Sequence, residues 1–370
     1  MPFCTTRCGY CDFNTYTAAE LGSSPGASRT DYVEAVIAEL DLAARVLGPD
    51  APPVSTIFVG GGTPTLLPPG NLGRMVTAIE QRFGLAADAE VTSESNPESV
   101  SAGDLARLRD AGFTRVSFGM QSAVPAVLAT LDRVHSPGRP AEAVAEARAA
   151  GFGQVSLDLI YGTPGETLAD WETSLAAALA VRPDHLSAYA LVVEPGTRLA
   201  VRIRRGELAM TDEDDLADKY LVAEECLTAA GYTAYEVSNW ATSAASRCRH
   251  NLGYWHGDHW WGIGPGAHSH VGGVRWWNVK HPQAWSARLE SGASPAYARE
   301  VLTTEQRRTE RVLLELRLAE GLPLDVLTGT ERVRVPDLVA RHLARVDGDR
   351  LVLTLRGRLL ADGVVRDLLD

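Results

Sequence analysis

The chain has 370 residues, of which 45% are hydrophobic and 22% charged, and its formal net charge is −12 at pH 7. This length allows one large domain with a smaller one beside it, and the absence of about 18 consecutive apolar residues argues against a membrane-spanning helix. Because phosphate binding needs clustered Lys and Arg, the acidic balance disfavours a nucleic-acid partner, and we expect a soluble globular protein.

Three of the five cysteines, Cys4, Cys8 and Cys11, stand within eight residues at the start of the chain. Clustered thiolates select zinc, copper(I) or an iron–sulfur cluster. A closed zinc site needs a fourth ligand, but Cys226 and Cys248 lie more than two hundred positions away. Three thiolates on a four-iron cluster would leave one iron open to a small molecule. A zinc site and a disulfide remain the alternatives.

Cysteine usage also indicates the compartment. Three cysteines needed as thiolates suit a reducing cytoplasm better than an oxidising compartment. The first residues also lack a basic stretch followed by an apolar core, so we expect no secretory signal. The predicted location is cytoplasmic.

Beyond the cysteines the sequence alternates between predicted strands and helices. Residues 22–30 read as a flexible loop and residues 31–47 as an amphipathic helix. Short apolar runs rich in β-branched residues then alternate with Ala- and Leu-rich segments, and these runs are 54–59, 90–92, 115–118, 154–160 and 185–193. The alternation predicts a parallel sheet. It does not separate a (β/α) barrel from a doubly wound open sheet.

Local signals support the predicted helix ends. Gly112, Gly151 and Gly231 each follow an Ala-rich helix and suit the left-handed position after its last turn. Ser101 with Asp104, and Thr167 with Asp170, have the spacing of capping boxes at helix starts.

Polar and glycine residues follow each predicted strand. They are Gly60 to Thr63, then Glu94 and Asn96, then Gln121 and Ser122, then Asp158, then Tyr189. In a (β/α) barrel the carboxyl ends of the strands share one face, which holds the active site. We therefore expect these side chains to meet at one mouth.

The string PFCTTRCGYCDFNTYT, residues 2–17, resembles a known family. Its C-x3-C-x2-C spacing is similar to that of the radical S-adenosylmethionine (SAM) superfamily, and the whole string resembles the oxygen-independent coproporphyrinogen III oxidase family. The resemblance extends over essentially the whole chain. It implies an α/β fold, an incomplete (β/α)6 TIM-like radical SAM barrel with a small C-terminal helical, winged-helix-like domain. It also implies a [4Fe–4S] cluster on Cys4, Cys8 and Cys11, with SAM chelating the open iron.

The resemblance further implies which residues contact SAM. Gly61, Gly62 and Thr63 would meet its amino group and Tyr10 would pack against the adenine. The remaining implied contacts are Glu94, Gln121, Arg133 and Asp158. Without the resemblance, the glycines could form a tight turn, and Arg133 and Asp158 an ordinary surface pair. The glycine loop lacks the Gly-Lys-Ser/Thr of a phosphate-binding loop.

One position departs from the oxidases of this family. They carry a further cysteine two residues after the third, where this chain has Phe13, and this favours a branch of the family described as haem chaperones. The segment 249–255, followed by further His and Trp residues, resembles the proposed haem-binding motif HNxxYW of that branch. His250 is the implied haem ligand with Tyr254 as a second candidate, and His268 and His270 could compete. A Trp-rich patch covering the barrel edge is the alternative.

The main functional hypothesis is therefore a cytoplasmic haem chaperone that binds a [4Fe–4S] cluster, SAM and haem, and transfers haem to acceptor proteins. Respiratory, membrane-associated proteins are candidate acceptors. The rival is an oxygen-independent coproporphyrinogen III oxidase of porphyrin biosynthesis, a radical SAM decarboxylase, and a zinc-binding structural protein is a third reading. Whether the chain is an enzyme stays open, with the chaperone favoured over a coproporphyrinogen III dehydrogenase.

The predicted organisation has three parts. The barrel spans residues 1–200, a linking region with the HNxxYW motif spans 201–300, and the C-terminal domain spans 301–370, where DNA binding is disfavoured by the net charge. Only Met1, Pro2 and Phe3 precede the cysteines, whereas the family has a full strand there. We therefore expect the first barrel strand to be missing, with an unpaired sheet edge beside the cluster.

Overall fold

The computed structural model describes residues 1–21, 29–136 and 138–369. The predicted loop at 22–30 lies mostly outside them. The region around the cysteines contains two short strands paired in parallel and a single helical turn, namely β1 (Phe3–Cys4), β2 (Tyr16–Thr17) and α1 (Ala18–Leu21).

A seven-stranded sheet forms the centre of the molecule. Its strands are β3 (Val54–Val59), β4 (Leu85–Ser95), β5 (Arg115–Gln121), β6 (Gln154–Tyr161), β7 (His185–Ala190), β8 (Thr233–Glu236) and β9 (Asn239–Ala241). The strand order is β3-β4-β5-β6-β7-β9-β8, with β3 to β7 parallel and β9 and β8 antiparallel. The parallel strands therefore follow chain order without the reversal that defines a doubly wound sheet. The partial-barrel prediction is confirmed.

One helix, α2 (Arg29–Leu47), precedes this sheet, and the others connect its consecutive strands from β3 to β8. These connecting helices are α3 (Pro69–Phe83), α4 (Ala102–Asp110), α5 (Pro125–Thr130), α6 (Arg139–Ala149), α7 (Leu168–Ala180), α8 (Arg198–Arg204) and α9 (Glu213–Ala229). The two predicted capping boxes, at Ser101 and Thr167, are both present with reciprocal hydrogen bonds. The predicted left-handed glycines have φ of 95° at Gly112, 88° at Gly151 and 88° at Gly231.

Four of the five parallel strands differ in length from their predictions. The strands predicted at 115–118 and 154–160 extend to Gln121 and Tyr161. The predicted strand at 90–92 is the buried centre of β4. The strand begins earlier, at Leu85, where it pairs with Val54 of the edge strand β3, although none of residues 85–89 is buried. The predicted strand at 185–193 ends at Ala190, and Val192 beyond it is 64% exposed. Apolar patterning thus located the strands but not their ends.

The sheet edge beside the cysteines is partly paired. Gly62 N donates to Met1 O at 2.7 Å, and Thr63 N donates to Phe3 O at 2.7 Å. The segment Met1 to Phe3 therefore pairs with the loop that follows β3. Among the described residues β3 itself pairs only with β4, so the strand has the unpaired edge that was expected.

The remaining chain forms two further units of secondary structure. The first contains α10 (Arg249–His256), the antiparallel strands β10 (His268–Val271), β11 (Val274–Asn278) and β12 (Ala296–Val301), and α11 (Pro282–Glu290). The second contains α12 (Thr304–Glu315), β13 (Leu322–Pro323), α13 (Gly329–Arg332), α14 (Val335–Ala340), β14 (Ala344–Asp347), β15 (Arg350–Leu353), α15 (Leu355–Leu359) and α16 (Ala361–Leu369).

Two large hydrophobic clusters support this division. One fills the space between the main sheet and its helices and includes Trp171, Trp240 and Trp285. The other lies entirely between Val312 and Leu368, as expected for a small C-terminal unit. The exact boundaries at 200 and 300 stay a prediction. In the part of the chain that the structure describes, no helix is both long and apolar enough to cross a membrane.

Candidate cofactor-binding site

One cavity of about 1120 Å³ opens at the carboxyl ends of the parallel strands. It is lined by every residue that the sequence assigns to the cluster or to SAM, namely Cys4, Cys8, Tyr10, Cys11, Gly61, Gly62, Thr63, Glu94, Gln121, Arg133 and Asp158. Strand order brings them together, because parallel strands that follow one another in the sheet place their carboxyl ends side by side. The predicted mouth is confirmed for these residues, but Ser122, which was also expected there, faces away from this cavity and lies 2.9 Å from Ser174 Oγ.

The cysteine loop is held in this cavity by backbone hydrogen bonds. Gly9 N donates to Leu131 O at 3.0 Å, and Gly9 O accepts from Leu199 N at 2.8 Å. Cys11 N donates to Cys8 O at 3.3 Å, which closes a turn between the second and third thiols. The loop is therefore attached at its centre to the ends of two barrel elements.

The three thiols differ in their electrostatic surroundings. All three are free and partly buried. Burial raises the pKa of the Cys4 and Cys11 thiols, opposed at both by a hydrogen bond with Thr15. The Arg133 guanidinium lies 3.7 Å from Cys8 Sγ. Burial alone would keep the Cys4 and Cys11 thiols protonated, and bound cationic iron would reverse that preference.

The arrangement of the thiols bears on which metal they fit. Among residues 1–21, 29–136 and 138–369, no three His, Cys, Asp or Glu side chains converge closely enough to hold a single metal ion. One zinc ion would require every sulfur within about 2.3 Å of a common point. A four-iron cluster is a larger body that takes thiolates around its perimeter. Three thiols on the wall of a wide cavity fit the cluster better.

The glycine loop after β3 allows two backbone segments to pack closely. Gly61 has φ of +108°, and a Cβ there would lie 2.8 Å from Met1 O. A Cβ on Gly62 would fall against the carbonyl of Phe3 and 3.1 Å from Cys4 Sγ. Any larger residue would therefore displace the segment that carries Cys4. In this structure the glycines serve the approach of protein backbone, while their side toward the cavity stays open.

Two carboxylates face the cavity from neighbouring parts of the sheet. Burial, and then the charge of Asp158, raise the pKa of Glu94 to about 7. Glu94 accepts one hydrogen bond, from Gly61 N at 2.9 Å. Burial also raises the pKa of Asp158, opposed by hydrogen bonds from Ser187 and Ser117, the latter at 2.9 Å. A cationic ligand entering this space would pair with both carboxylates and favour their ionised forms.

Gln121 and Arg133 occupy the far wall of the cavity. Gln121 ends β5 with φ of 63°, next to a register irregularity between β5 and β6, and positive φ is uncommon for a residue other than glycine. Arg133 donates to Gly119 O at 2.9 Å, while its Nε is buried without a hydrogen-bond partner in the described structure. Strained backbone and an unpaired buried donor are common at ligand sites.

The floor of the cavity consists of residues that were not predicted as site residues from the sequence. It is lined by Arg115, His185 and Cys248. Arg115 is 2% exposed and donates to Ser246 O at 2.9 Å, and both ring nitrogens of His185 are hydrogen-bonded, to Ser156 and Tyr235. A signal was present, since Arg115 and His185 are polar residues that open buried strands.

The proposed haem ligands lie outside the cavity. His250 and Tyr254 are on α10, and the His250 ring stacks on Phe58, which itself lines the cavity, at 5.1 Å between centroids. His250 Nδ1 lies 2.8 Å from Thr56 Oγ1 and its Nε2 lies 2.9 Å from the Tyr254 hydroxyl. Burial lowers the pKa of His250 to about 4. The ring is therefore neutral and both nitrogens are engaged.

A row of rings continues outward from His250. Centroids are 4.9 Å apart between His250 and Tyr254, 4.8 Å between Tyr254 and Trp260, 5.2 Å between Trp260 and His270, and 5.9 Å between His270 and His259. We call these five residues the aromatic row. The row joins α10 to β10. Trp260, His270 and His259, which lie outside the HNxxYW motif, are thus joined by successive ring contacts to the motif residues His250 and Tyr254.

The curled parallel sheet, with three cysteines at the carboxyl ends of its strands, places this chain in the class of radical SAM proteins. The model of the radical SAM superfamily matches residues 1–178. The fold is similar to the solved structure titled "Coproporphyrinogen III oxidase (HemN) from Escherichia coli is a Radical SAM enzyme", with a TM-score of 0.84 and 22% identity, covering 100% of this chain and 88% of that one.

Comparison with curated proteins identifies the family within that class. The chain is 55% identical over 369 residues to "Heme chaperone HemW" of Mycobacterium tuberculosis, covering 100% of this chain and 93% of that protein. It is 32% identical to the protein of the same name from Bacillus subtilis, covering 98% and 96%. The chain belongs to the HemW family of radical SAM proteins. Proteins of this superfamily use a [4Fe–4S] cluster and SAM, and these are the cofactors that the cavity fits.

Proposed function

We propose that this chain is a haem chaperone, which binds haem and transfers it to acceptor proteins. The observation that carries the proposal is its 55% identity, over its whole length, to a protein named as a heme chaperone. Respiratory, membrane-associated proteins are candidate acceptors. The proposed location is the cytoplasm, whose reducing conditions keep the three clustered cysteines available as thiolates.

Phe13 supports the chaperone over the rival oxidase. It occupies the position at which the oxidases of the wider family carry a further cysteine, and its side chain is 59% exposed. The residue that would distinguish a decarboxylase is thus replaced by one that can neither ligate metal nor transfer hydrogen. Similarity to the oxidase structure at 22% identity concerns the fold.

Each predicted cofactor-binding residue of the cavity has a role in this proposal. Cys4, Cys8 and Cys11 hold the [4Fe–4S] cluster, which when bound offers one iron with an open coordination position. The SAM-contacting residues are Tyr10, Gly61, Gly62, Thr63, Glu94, Gln121, Arg133 and Asp158. In this assignment the carboxylates of Glu94 and Asp158 pair with the cationic and hydroxyl groups of SAM, and the Arg133 fork receives its carboxylate.

Haem is assigned to the surface around His250 and Tyr254. A flat apolar macrocycle packs well against aromatic rings, and the aromatic row offers such rings together with imidazoles. Phe58 lies between this surface and the cavity, since it lines the cavity and stacks on His250. Haem and SAM are therefore placed on two adjoining sites.

A paired assay on one anaerobically reconstituted sample tests the function. Ferric haem is titrated into the full chain, and coproporphyrinogen III with SAM and a reductant is supplied to a second aliquot. We expect haem to bind one per chain and no protoporphyrinogen to form. The control is the triple variant Cys4→Ala, Cys8→Ala, Cys11→Ala, which cannot hold the cluster. Turnover of coproporphyrinogen by the wild type and not by this control would overturn the chaperone proposal in favour of the oxidase.

A further inference from the structure

His270 is the buried histidine whose environment most resembles that of an iron ligand. It lies on β10 and is 7% exposed. Its Nδ1 is 3.1 Å from Asp258 O, a pure acceptor, so Nδ1 carries the proton and donates it. The lone pair is then on Nε2, which is buried and has no hydrogen-bond partner among the described residues. A buried polar atom left unpaired destabilises the fold, and a ligand on Nε2 would remove that penalty.

This geometry is the one that metal-binding histidines adopt. In such sites one ring nitrogen donates to a backbone carbonyl or carboxylate, which fixes the tautomer and orients the other nitrogen toward the metal. Asp258 O performs this role for His270. Because Nε2 already carries a lone pair, binding to iron would form one coordinate bond and release no proton.

The other histidines of this region fit an iron ligand less well. Both nitrogens of His250 are engaged, by Thr56 and Tyr254. His268 is exposed and stacks on Trp277 at 5.8 Å between centroids. His259 is exposed, and its Nε2 accepts from Gly272 N at 3.4 Å.

The surroundings of His270 suit a large flat ligand better than a lone ion. Trp260 is its immediate neighbour, with backbone hydrogen bonds in both directions at 2.9 Å, and Tyr254 packs edge-on against Trp260 at 4.8 Å. No third His, Cys, Asp or Glu completes a single-ion site in this part of the described chain. Aromatic rings beside one free imidazole nitrogen match a porphyrin with iron at its centre.

We propose that His270 Nε2 is the protein ligand to the haem iron. This rests on the proposed function as a haem chaperone. His250 then acts as a positioning residue, which holds the Tyr254 hydroxyl and so keeps Tyr254 against Trp260. Because Nε2 is buried, a neighbouring ring, that of Trp260 or His259, must move aside as haem enters.

The test compares five forms of the full chain after cluster reconstitution: wild type, His270→Asn, His270→Ala, His250→Ala and His268→Ala. The asparagine amide can keep the hydrogen bond to Asp258 O while it removes the iron-binding nitrogen, so the variant should fold. His268→Ala is the matched control on the same strand. Ferric haem is titrated into each form, and the readouts are the dissociation constant, the Soret maximum and the iron spin state by electron paramagnetic resonance.

We expect His270→Asn to weaken haem binding at least tenfold and to change the iron spin state, with iron content per chain unchanged. Added imidazole should restore the wild-type spectrum in His270→Ala, which leaves space for it. His268→Ala should match the wild type, and His250→Ala should weaken binding less than His270→Asn without changing the spin state. If His270→Asn keeps the wild-type spectrum and affinity while His250→Ala loses them, the assignment to His270 is overturned. Absence of haem binding in the wild type would contradict the proposed function itself.

Discussion

At the scale of single residues, the cavity contains one carboxyl group, that of Glu94, whose pKa lies near neutrality. Burial and the neighbouring charge of Asp158 raise the pKa of Glu94 to about 7 from an ordinary value of 4.5. Between these two values the folded chain keeps a proton that the unfolded chain has lost. The ligand-free protein therefore loses stability as pH rises through this window. A cationic ligand would offset that loss by pairing with the carboxylate.

Because we propose that Glu94 pairs with SAM, we expect SAM binding to depend on pH. Only about a tenth of a carboxyl with a pKa near 7 is ionised at pH 6, against about nine tenths at pH 8. We expect SAM to bind the reconstituted chain about tenfold more tightly at pH 8 than at pH 6, measured by anaerobic calorimetry. In Glu94→Gln the affinity should be lower and its pH profile flatter. An equally steep profile in Glu94→Gln would assign the titration to another group.

At the scale of elements, the cysteine loop is tied to the region that carries the aromatic row. Asn14 Nδ2 donates to Pro265 O at 3.0 Å and to Lys280 O at 2.7 Å. These two carbonyls flank the hairpin of β10 and β11. The residue that follows Phe13 therefore links the cluster loop to the strand of His270.

Replacing this amide should loosen the hairpin and leave the cluster in place. Each lost hydrogen bond contributes about 1 kcal/mol net, and partial exposure reduces this, so Asn14→Ala should lower the free energy of unfolding by about 1–2 kcal/mol. Hydrogen exchange should increase in the segments around Pro265 and Lys280, with iron content unchanged. Phe13→Ala, an exposed neighbour, is the control. Equal exchange in both variants would mean that Asn14 does not hold the hairpin.

Local sequence patterns predicted several elements, but they did not predict the long-range contacts between elements. The strands β3 to β7 and the caps at Ser101 and Thr167 depend on local patterns, and these were predicted. Glu39 on α2 was not, although it is 1% exposed and accepts from Gly264 N, Asn278 Nδ2 and Trp285 Nε1. Its partners lie more than two hundred residues away, and no local periodicity encodes such a pairing.

At the scale of the whole molecule, the C-terminal unit is fastened to the barrel by a charged contact. Arg358 on α15 pairs with Glu224 on α9 at 2.6 Å, and both side chains are 18% exposed. Trp240 Nε1 donates to the same carboxylate at 2.8 Å. The contact joins the second hydrophobic cluster to the main sheet.

Loss of the Arg358 charge should weaken this attachment. Breaking a fully buried pair costs about 3–5 kcal/mol, and partial exposure reduces this, so we expect Arg358→Met to lower the free energy of unfolding by about 2 kcal/mol in denaturant titrations. Arg356→Met on the same helix, at an exposed position, should change it by less than about 0.5 kcal/mol. Equal effects of the two variants would contradict a role for the ion pair.

The cavity could be predicted from the sequence, because polar and glycine residues follow each predicted strand and parallel strands in chain order bring these ends together. The aromatic row did not follow, because its members come from α10, the segment after it and β10, and they meet only through tertiary folding. The resemblance to the HNxxYW motif predicted His250 as the haem ligand from its sequence context alone. Hydrogen-bond geometry, which is visible only in the structure, distinguishes it from His270.

The central claim is that Cys4, Cys8 and Cys11 hold a four-iron cluster with one open iron. The most direct measurement is low-temperature electron paramagnetic resonance of the anaerobically reconstituted, reduced chain, with and without SAM. We expect about four irons per chain and a [4Fe–4S]⁺ signal that changes when SAM is added. A colourless protein that holds only zinc, or a cluster signal that SAM leaves unchanged, would contradict it.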